Sequence, residues 1–338
     1  MGYFERVHRL TPTRFWVNNP TISQARLAIE AGTIACTTNP TYTAKMLKSD
    51  EMRPILMKEI LRLKAEGLTA SGIAAKTQRY AVKLLMDEFA KLHKEDPSRM
   101  GYVSIQGDPT LEHDPANIIK EAEADMQLGE NAIAKIPVTE AGIKAIEYLA
   151  AKNVPIIATE IMSVSQCIAV CEAYKRSKGT APFFVTCIAG IFDDCLKNQY
   201  KENKFEIEPD ILFQAGCVLM RRQYRVMREK QLPGILLGGG ARGLHHFTEF
   251  VGGACDITIN WKGTADLLLE ADAPVISRMD TPTPEYVLDE LLKIPTFAKA
   301  YTVDGLSEKE YADFPPVELF RSQFEAGWAD LIKEIENA

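Results

Sequence analysis

No stretch of the 338-residue chain approaches the roughly 20 continuous apolar residues that a membrane-spanning helix needs. Basic excess is also missing. The formal net charge is -7, so no global positive field would recruit nucleic acid or an acidic membrane. Small anions remain candidate ligands, because a few local cations can outweigh a weakly acidic average. Paired cysteine is lacking as well: Cys36, Cys167, Cys171, Cys187, Cys195, Cys217 and Cys255 are odd in number and form no CxxC motif. That pattern fits reduced, buried thiols of a cytoplasmic protein better than a disulfide framework. Cys167 and Cys171, four apart, share a helix face, but two thiolates without partner ligands make a poor zinc site and read as core. Histidine is scarce. His8, His93, His113, His245 and His246 all fall outside predicted strands, which argues against a metal-dependent aldolase or hydrolase, so no metal and no cofactor is expected. The N-terminal MGYFERVHRLTPTRF carries charges where a signal peptide would be apolar. Internal repeats, low-complexity tracts and flexible linkers are likewise lacking.

What is present is apolar mass arranged in alternation. Hydrophobic residues make up 46% of the chain, enough for one large core. Short β-rich runs at Phe15–Asn18, Thr33–Thr37, Tyr102–Gln106, Ala132–Pro137, Pro155–Thr159, Phe183–Ile188, Ile235–Gly239 and Asp256–Asn260 alternate with helix-period segments. Glu140–Lys152 is one such segment, with Ile143, Ile146 and Leu149 on one face and Asn153 as its stop. Ser165–Lys178 is another, closed by Gly179. Eight strands separated by helices predict a parallel sheet with right-handed crossovers, most simply closed as a (β/α)₈ TIM barrel. The second-to-third connection, about residues 41 to 100, is too long for one crossover. Its periodicity predicts extra helices. Residues 264–338 read as helices broken by Pro-containing turns, ending in the amphipathic segment Phe320–Ile335. The expected organisation is a single domain over 1–338, with a barrel over about 11–272 and a helical tail over about 273–338.

In a parallel barrel the active site forms at the C-terminal strand ends. Those ends are polar here: Asn18-Asn19, Thr37-Thr38-Asn39, Gln106-Gly107-Asp108, Thr159-Glu160, Thr186, Gly240-Ala241-Arg242 and Asn260-Trp261-Lys262. Wet strand ends explain most of these, but not Lys135, which sits inside the run Ala-Ile-Ala-Lys-Ile-Pro-Val. A lysine there either pairs with a carboxylate, such as Glu160 on the next strand, or loses its charge. Burial lowers a lysine pKa, and a neutral amine attacks carbonyl carbon. From the residues alone both readings stand.

Three segments at barrel-strand ends, in the same order, then resemble the transaldolase family, which includes the fructose 6-phosphate aldolases. Cys36-Thr37-Thr38-Asn39-Pro40-Thr41 is similar to its T-T-N-P signature. Ala134-Lys135-Ile136-Pro137-Val138-Thr139-Glu140-Ala141-Gly142 is similar to its K-I-P-x-T-x-x-G Schiff-base strand. Thr159-Glu160-Ile161-Met162-Ser163-Val164-Ser165-Gln166 is similar to its T-x-x-x-S-x-x-Q segment. The resemblance implies an imine on Lys135, substrate hydroxyls held by Asn39 with Thr38 and Thr186 nearby, and proton shuttling at Gln106 and Thr159. Ser163 and Gln166 are expected to cap and pack the following helix.

Two departures stand out. The family's first strand ends in aspartate, whereas Asn18 (or Asn19) stands here, and an amide cannot accept a proton at neutral pH. Asp108, by strand parity with Gln106, is expected to face the barrel mouth as a substitute. Glu160 is another, though adjacency to Thr159 turns it outward in a regular strand. The family also holds its sugar phosphate with arginines after strands six and seven. Arg242 matches the latter. The sixth-strand segment has none and carries Asp193 and Asp194 instead. An anion cradle from Gly239, Gly240, Arg242 and Lys262 is the reduced expectation.

The function so implied is transfer of a dihydroxyacetone-type three-carbon unit between sugars or sugar phosphates by a lysine Schiff base, as in the pentose phosphate pathway. An aldolase acting on an atypical or unphosphorylated ketose is the alternative, and a catalytically idle sugar-binding barrel a third reading. The expected partner is a small sugar or sugar phosphate, with no nucleic acid and no membrane. Homo-oligomerisation is left open.

Overall fold

A computed structural model describes residues 1–338. Eight strands, β1 (Arg14–Asn18), β2 (Ala35–Thr37), β3 (Val103–Ile105), β4 (Ala132–Pro137), β5 (Ile156–Ile161), β6 (Phe183–Cys187), β7 (Ile235–Gly238) and β8 (Cys255–Asn260), close in sequence order into a parallel barrel. Closure is made by β1 on β8, with Arg14 opposite Asp256 and Asn18 opposite Asn260. Every predicted strand is present, its ends displaced by at most two residues. No helix is long and apolar enough to cross a membrane.

Alternation along each strand divides the barrel interior into layers. Trp16, Ile133, Ile157, Phe184 and Leu237 form a dry inner plug, distinct from the larger core between strands and helices. One register step towards the C-terminal ends, the same faces carry Asn18, Lys135, Thr159, Thr186 and Gly239. The strand run that made Lys135 conspicuous thus places it one layer above the plug. Below the plug, the carboxylate of Asp256 accepts from Trp16 Nε1 at 2.8 Å and from Arg99, which reaches up from the loop before β3. Asp256 is fully buried, and its carboxyl is pushed up by burial despite that guanidinium. Removing one partner of such a pair leaves an uncompensated buried charge. Arg99→Ala should therefore lower unfolding stability by about 3 kcal/mol in urea titrations, somewhat less at acid pH where Asp256 takes a proton.

The long second connection forms the expected helices, Tyr42–Met46, Arg53–Ala65 and Ala70–Glu95. The last helix, Pro315–Asn337, starts five residues before the predicted segment and lies across the barrel mouth. Its buried face (Val317, Phe320, Phe324, Trp328, Leu331, Ile335) joins the main core. One terminator differs from expectation. The helix Val164–Ser177 is closed by Lys178 in the left-handed region, φ 58, and not by Gly179. Gly179 serves close approach instead, since a Cβ there would meet the Ala150 carbonyl at 2.3 Å. All seven cysteines are free and buried.

Candidate active site

The barrel mouth holds a cavity of about 780 Å³ that is lined by Lys135, Asn18, Asn39, Thr186, Gly239, Gly240 and Arg242, among others. Lys135 is 8% exposed. Its ammonium donates to the Thr38 carbonyl at 3.2 Å and stands 5.5 Å from the Phe324 ring centroid. Burial presses its pKa down to about 8. Glu160 and Glu112 pull it back up, and Lys45 pushes it lower. A buried lysine in an apolar strand thus keeps an appreciable neutral fraction near neutral pH.

Glu160 does not point outward. The β5–β6 register slips between Ala158 and Ile161, and Glu160 takes a left-handed φ of 62. The bulge inserts one residue, so Glu160 follows Thr159 into the interior instead of alternating with it. A non-glycine residue held left-handed inside a strand is strained, and surrounding bonds must hold it. Gln166 does so: its Nε2 donates to the carbonyls of Val138 (2.8 Å) and Glu160 (3.1 Å), while its Oε1 accepts from Met162 N at 2.9 Å. Ser163 caps the helix as expected, accepting from Gln166 N at 3.2 Å.

Beside the bulge lies an acid that sequence reasoning missed. Gln106 Nε2 donates to Glu112 Oε1 at 2.7 Å and to Glu160 Oε1 at 3.1 Å, and both carboxyl groups are buried. Two carboxylate acceptors fix which end of the Gln106 amide faces them. Burial pushes the Glu112 carboxyl well up, and Glu160's charge pushes it further. Burial lifts Glu160 to about 7 against the pull of Gln106 and Lys135. Glu112 lies just past the 3₁₀ turn Pro109–Leu111. Asp108 caps that turn, its carboxylate accepting from Thr110 N at 2.9 Å and Thr110 Oγ1 at 2.7 Å. The expected turn of Asp108 into the mouth is therefore corrected: local capping occupies it.

Other predicted positions divide. Asn18 is in the cavity wall, donating to Asn260 Oδ1 and accepting from Thr37 Oγ1, each at 2.9 Å. Asn39 Oδ1 accepts from Thr41 N at 3.1 Å and Thr41 Oγ1 at 2.7 Å, which leaves its amide nitrogen for a ligand. The hydroxyls of Thr159 and Thr186 are buried without a protein partner. Thr38 contributes its carbonyl only, because its hydroxyl donates to the Ser104 carbonyl at 2.6 Å.

The anion end is more altered than the sequence suggested. Gly240 takes φ 68, and a Cβ there would meet Ile188 Cγ2 at 2.6 Å. Ile188 and Ile191 line the cavity where the sixth-strand arginine was missed. Asp193 does not repel a ligand there; it is buried, accepting from Gly216 N at 2.7 Å and lying 3.0 Å from His246 Nε2. Asp194 takes Arg242 itself, Nε to Oδ2 at 2.6 Å. Lys262 is exposed and outside the cavity lining, so it does not belong to the cradle. Lys45, one turn beyond the T-T-N-P segment, lines the cavity in its place. Its ammonium is pressed down by desolvation and by Arg242. No sequence signal marked it beyond that spacing.

The chain is 25% identical to a transaldolase of Neisseria meningitidis over 215 residues, 56% of this chain and 59% of that protein. It is 29% identical to a transaldolase of Mycobacterium leprae over 144 residues, 42% of this chain and 37% of that one. Transaldolase 2 of a Nostoc species is 42% identical over 78 residues, 22% of this chain and 20% of its own. The chain thus spans under two thirds of the length of these relatives. The profile described as Transaldolase/Fructose-6-phosphate aldolase matches residues 15–275, from β1 past β8, and the chain belongs to that family.

Proposed function

We propose that this protein is a Schiff-base enzyme of the transaldolase type, in which Lys135 attacks the ketone of a sugar donor and a dihydroxyacetone-type unit is transferred to an aldehyde. The observation that carries the reading is the desolvated Lys135 amine, with the buried carboxyl of Glu160 on the neighbouring strand, at a cavity whose polar wall holds Asn18, Asn39 and Thr186. Neutral amine supplies the nucleophile, and the carboxyl supplies and removes protons. Asn39, Asn18, Thr159 and Thr186 are donors and acceptors at the reach of a polyol. Release of the ketone without transfer is the lyase reading. We also propose that residues 1–338 work as one unit, because the tail helix supplies Phe320, Gln323 and Phe324 to the cavity wall.

The test is reductive trapping of the imine across a panel of phosphorylated and neutral ketoses, read by mass spectrometry at Lys135. No adduct with any of them would sink the reading. Phosphate competition reports on the substrate tail. Arg242→Ala should weaken inorganic phosphate inhibition about 10–150-fold, the value of one charge-assisted contact. Lys45→Ala should do the same to a smaller extent, because an ammonium is a point charge without the guanidinium's two-pronged grip. Asp194→Asn should tighten it by freeing Arg242, and Lys262→Ala should leave it unchanged. Inhibition that survives the Arg242 and Lys45 substitutions would move the anion elsewhere.

A further inference from the structure

A second opening reaches the acid side of the site. The tail helix lies between two spaces, with Phe320, Gln323 and Phe324 facing the substrate cavity and Arg321 and Glu325 facing a polar cleft of about 1110 Å³. Glu112 and Glu160 form part of that cleft's lining, whereas Lys135 does not. Glu112 Oε2 and Gln106 Oε1 are both buried without a partner, so the cluster has acceptor capacity that its protein bonds leave unused. The like charges cannot both be carried comfortably on two buried carboxyls bridged by one amide.

We propose that Glu112 and Glu160 act as a single proton-holding pair for chemistry at Lys135, with Glu112 as the positioning partner, and that the cleft beyond the tail helix is where this pair exchanges protons with solvent. The inference rests on the Schiff-base reading. Condensation of an amine with a ketone to a protonated imine consumes one proton. The nitrogen lone pair forms the N–C bond, the carbonyl oxygen becomes a hydroxyl, and that hydroxyl leaves as water on taking the pair's proton as C=N forms. The pair, one proton poorer, then faces the new iminium cation. The proton returns when water hydrolyses the imine, or from solvent through the cleft.

Charged neighbours decide whether such a pair can titrate alone. Lys135 faces both carboxyls from β4. Glu121, on the helix Pro115–Met126, raises Glu112, while Arg321 and Glu325 of the tail helix act on Glu160 in opposite directions. Across the cleft, Lys144 is already paired with Glu140 at 2.9 Å and Lys309 shares the rim with Glu308. His113 is the remaining titratable side chain on that rim. No cation other than Lys135 is dedicated to the two acids, so a shared proton is the remaining way to reduce their repulsion.

The experiment measures the rate of Lys135 labelling by dihydroxyacetone and cyanoborohydride between about pH 5.5 and 9.5, using the full chain. Glu112→Gln keeps an acceptor for Gln106 but cannot titrate. The alkaline limb of its profile should move to lower pH because the pair's upper ionisation is gone, while the acid limb, where the pair already carries a single charge, should hardly move. At pH 9 the loss should be about 10²-fold, with little change at the optimum. Glu112→Asp should restore the alkaline limb in part. Formate should rescue it in Glu112→Ala, by entering from the cleft, but not in Glu112→Gln, where the space is filled. A uniform loss at all pH values, or an unchanged profile, would overturn the role of Glu112. Failure of formate in an Ala variant that melts cooperatively would overturn the cleft as the route. If the wild type itself shows no label at Lys135, the Schiff-base reading falls first, and that result is distinct from the other two.

Discussion

Lys135→Met should give no reduced adduct with any ketose, and turnover should fall at least about 10⁴-fold, as when an enzyme loses its nucleophile. The variant should nevertheless fold. Wild-type Lys135 is held in a buried layer, where burial disfavours its charge and only one backbone carbonyl accepts from it. A thioether of similar length fits the same space against Phe324 without a charge to desolvate. Linkage sets the sign of the stability change. The folded pKa is pressed down to about 8 from its ordinary value near 10.5. The unfolded chain therefore binds more protons between those pH values, and wild-type stability rises across that window. Lys135→Met should lack this rise and be at least as stable at neutral pH. Lys144 and Lys152 are the labelling controls, since both are exposed and paired with Glu140 and Glu123. Full labelling of Lys135→Met would remove the lysine from the reaction.

Lys135 was legible as a candidate because a charge inside an apolar strand has few explanations, and the family resemblance chose between them. The barrel was legible for a related reason: eight apolar runs separated by helical periods admit few closed arrangements. What escaped depends on contacts that sequence spacing does not encode. Glu112 lies in a short polar loop and reads as solvated until the 3₁₀ turn capped by Asp108 folds it back on Gln106. Strand parity assigned Glu160 to the outer face, and a bulge, itself clamped by Gln166 several residues on, reverses that assignment. Phe324 follows Lys135 in sequence only after four further strands, and its helix periodicity marks it only as core. The expectation for an anion cradle erred in the opposite sense. Lys262 had the right charge on the right loop, but the chain after β8 carries it into solvent, while Lys45 arrives from the second connection.

Glu160→Gln should reduce turnover on any productive substrate by about 10²–10⁴-fold at neutral pH, the range of a lost general acid–base group. The amide so introduced still offers an oxygen to Gln106, so the loss would report proton transfer more than packing. The barrel's geometry supports the proposal that Glu160 replaces the first-strand carboxylate. β1 and β5 lie on opposite sides of an eight-stranded ring. Asn18 is tied to Asn260 and Thr37, whereas Glu160 stands on the strand next to that of Lys135 and acts on its charge. On the proposed mechanism, proton chemistry would sit on the lysine's own neighbour and not on the far side of the ring. Stability should respond in the opposite direction to activity. A carboxyl raised to about 7 binds its proton more tightly in the folded state, so wild-type stability is lost as pH climbs from about 4.5 through 7. Glu160→Gln, with nothing to ionise, should unfold at higher urea than the wild type at pH 8, and the gap should close towards pH 5. Loss of the carboxylate also removes a charge that raised Lys135, so the acid limb of imine trapping should shift to lower pH. If Glu160→Gln keeps full turnover while Asn18→Asp increases it, the working acid belongs on the first strand after all, and the bulge at Glu160 serves packing alone.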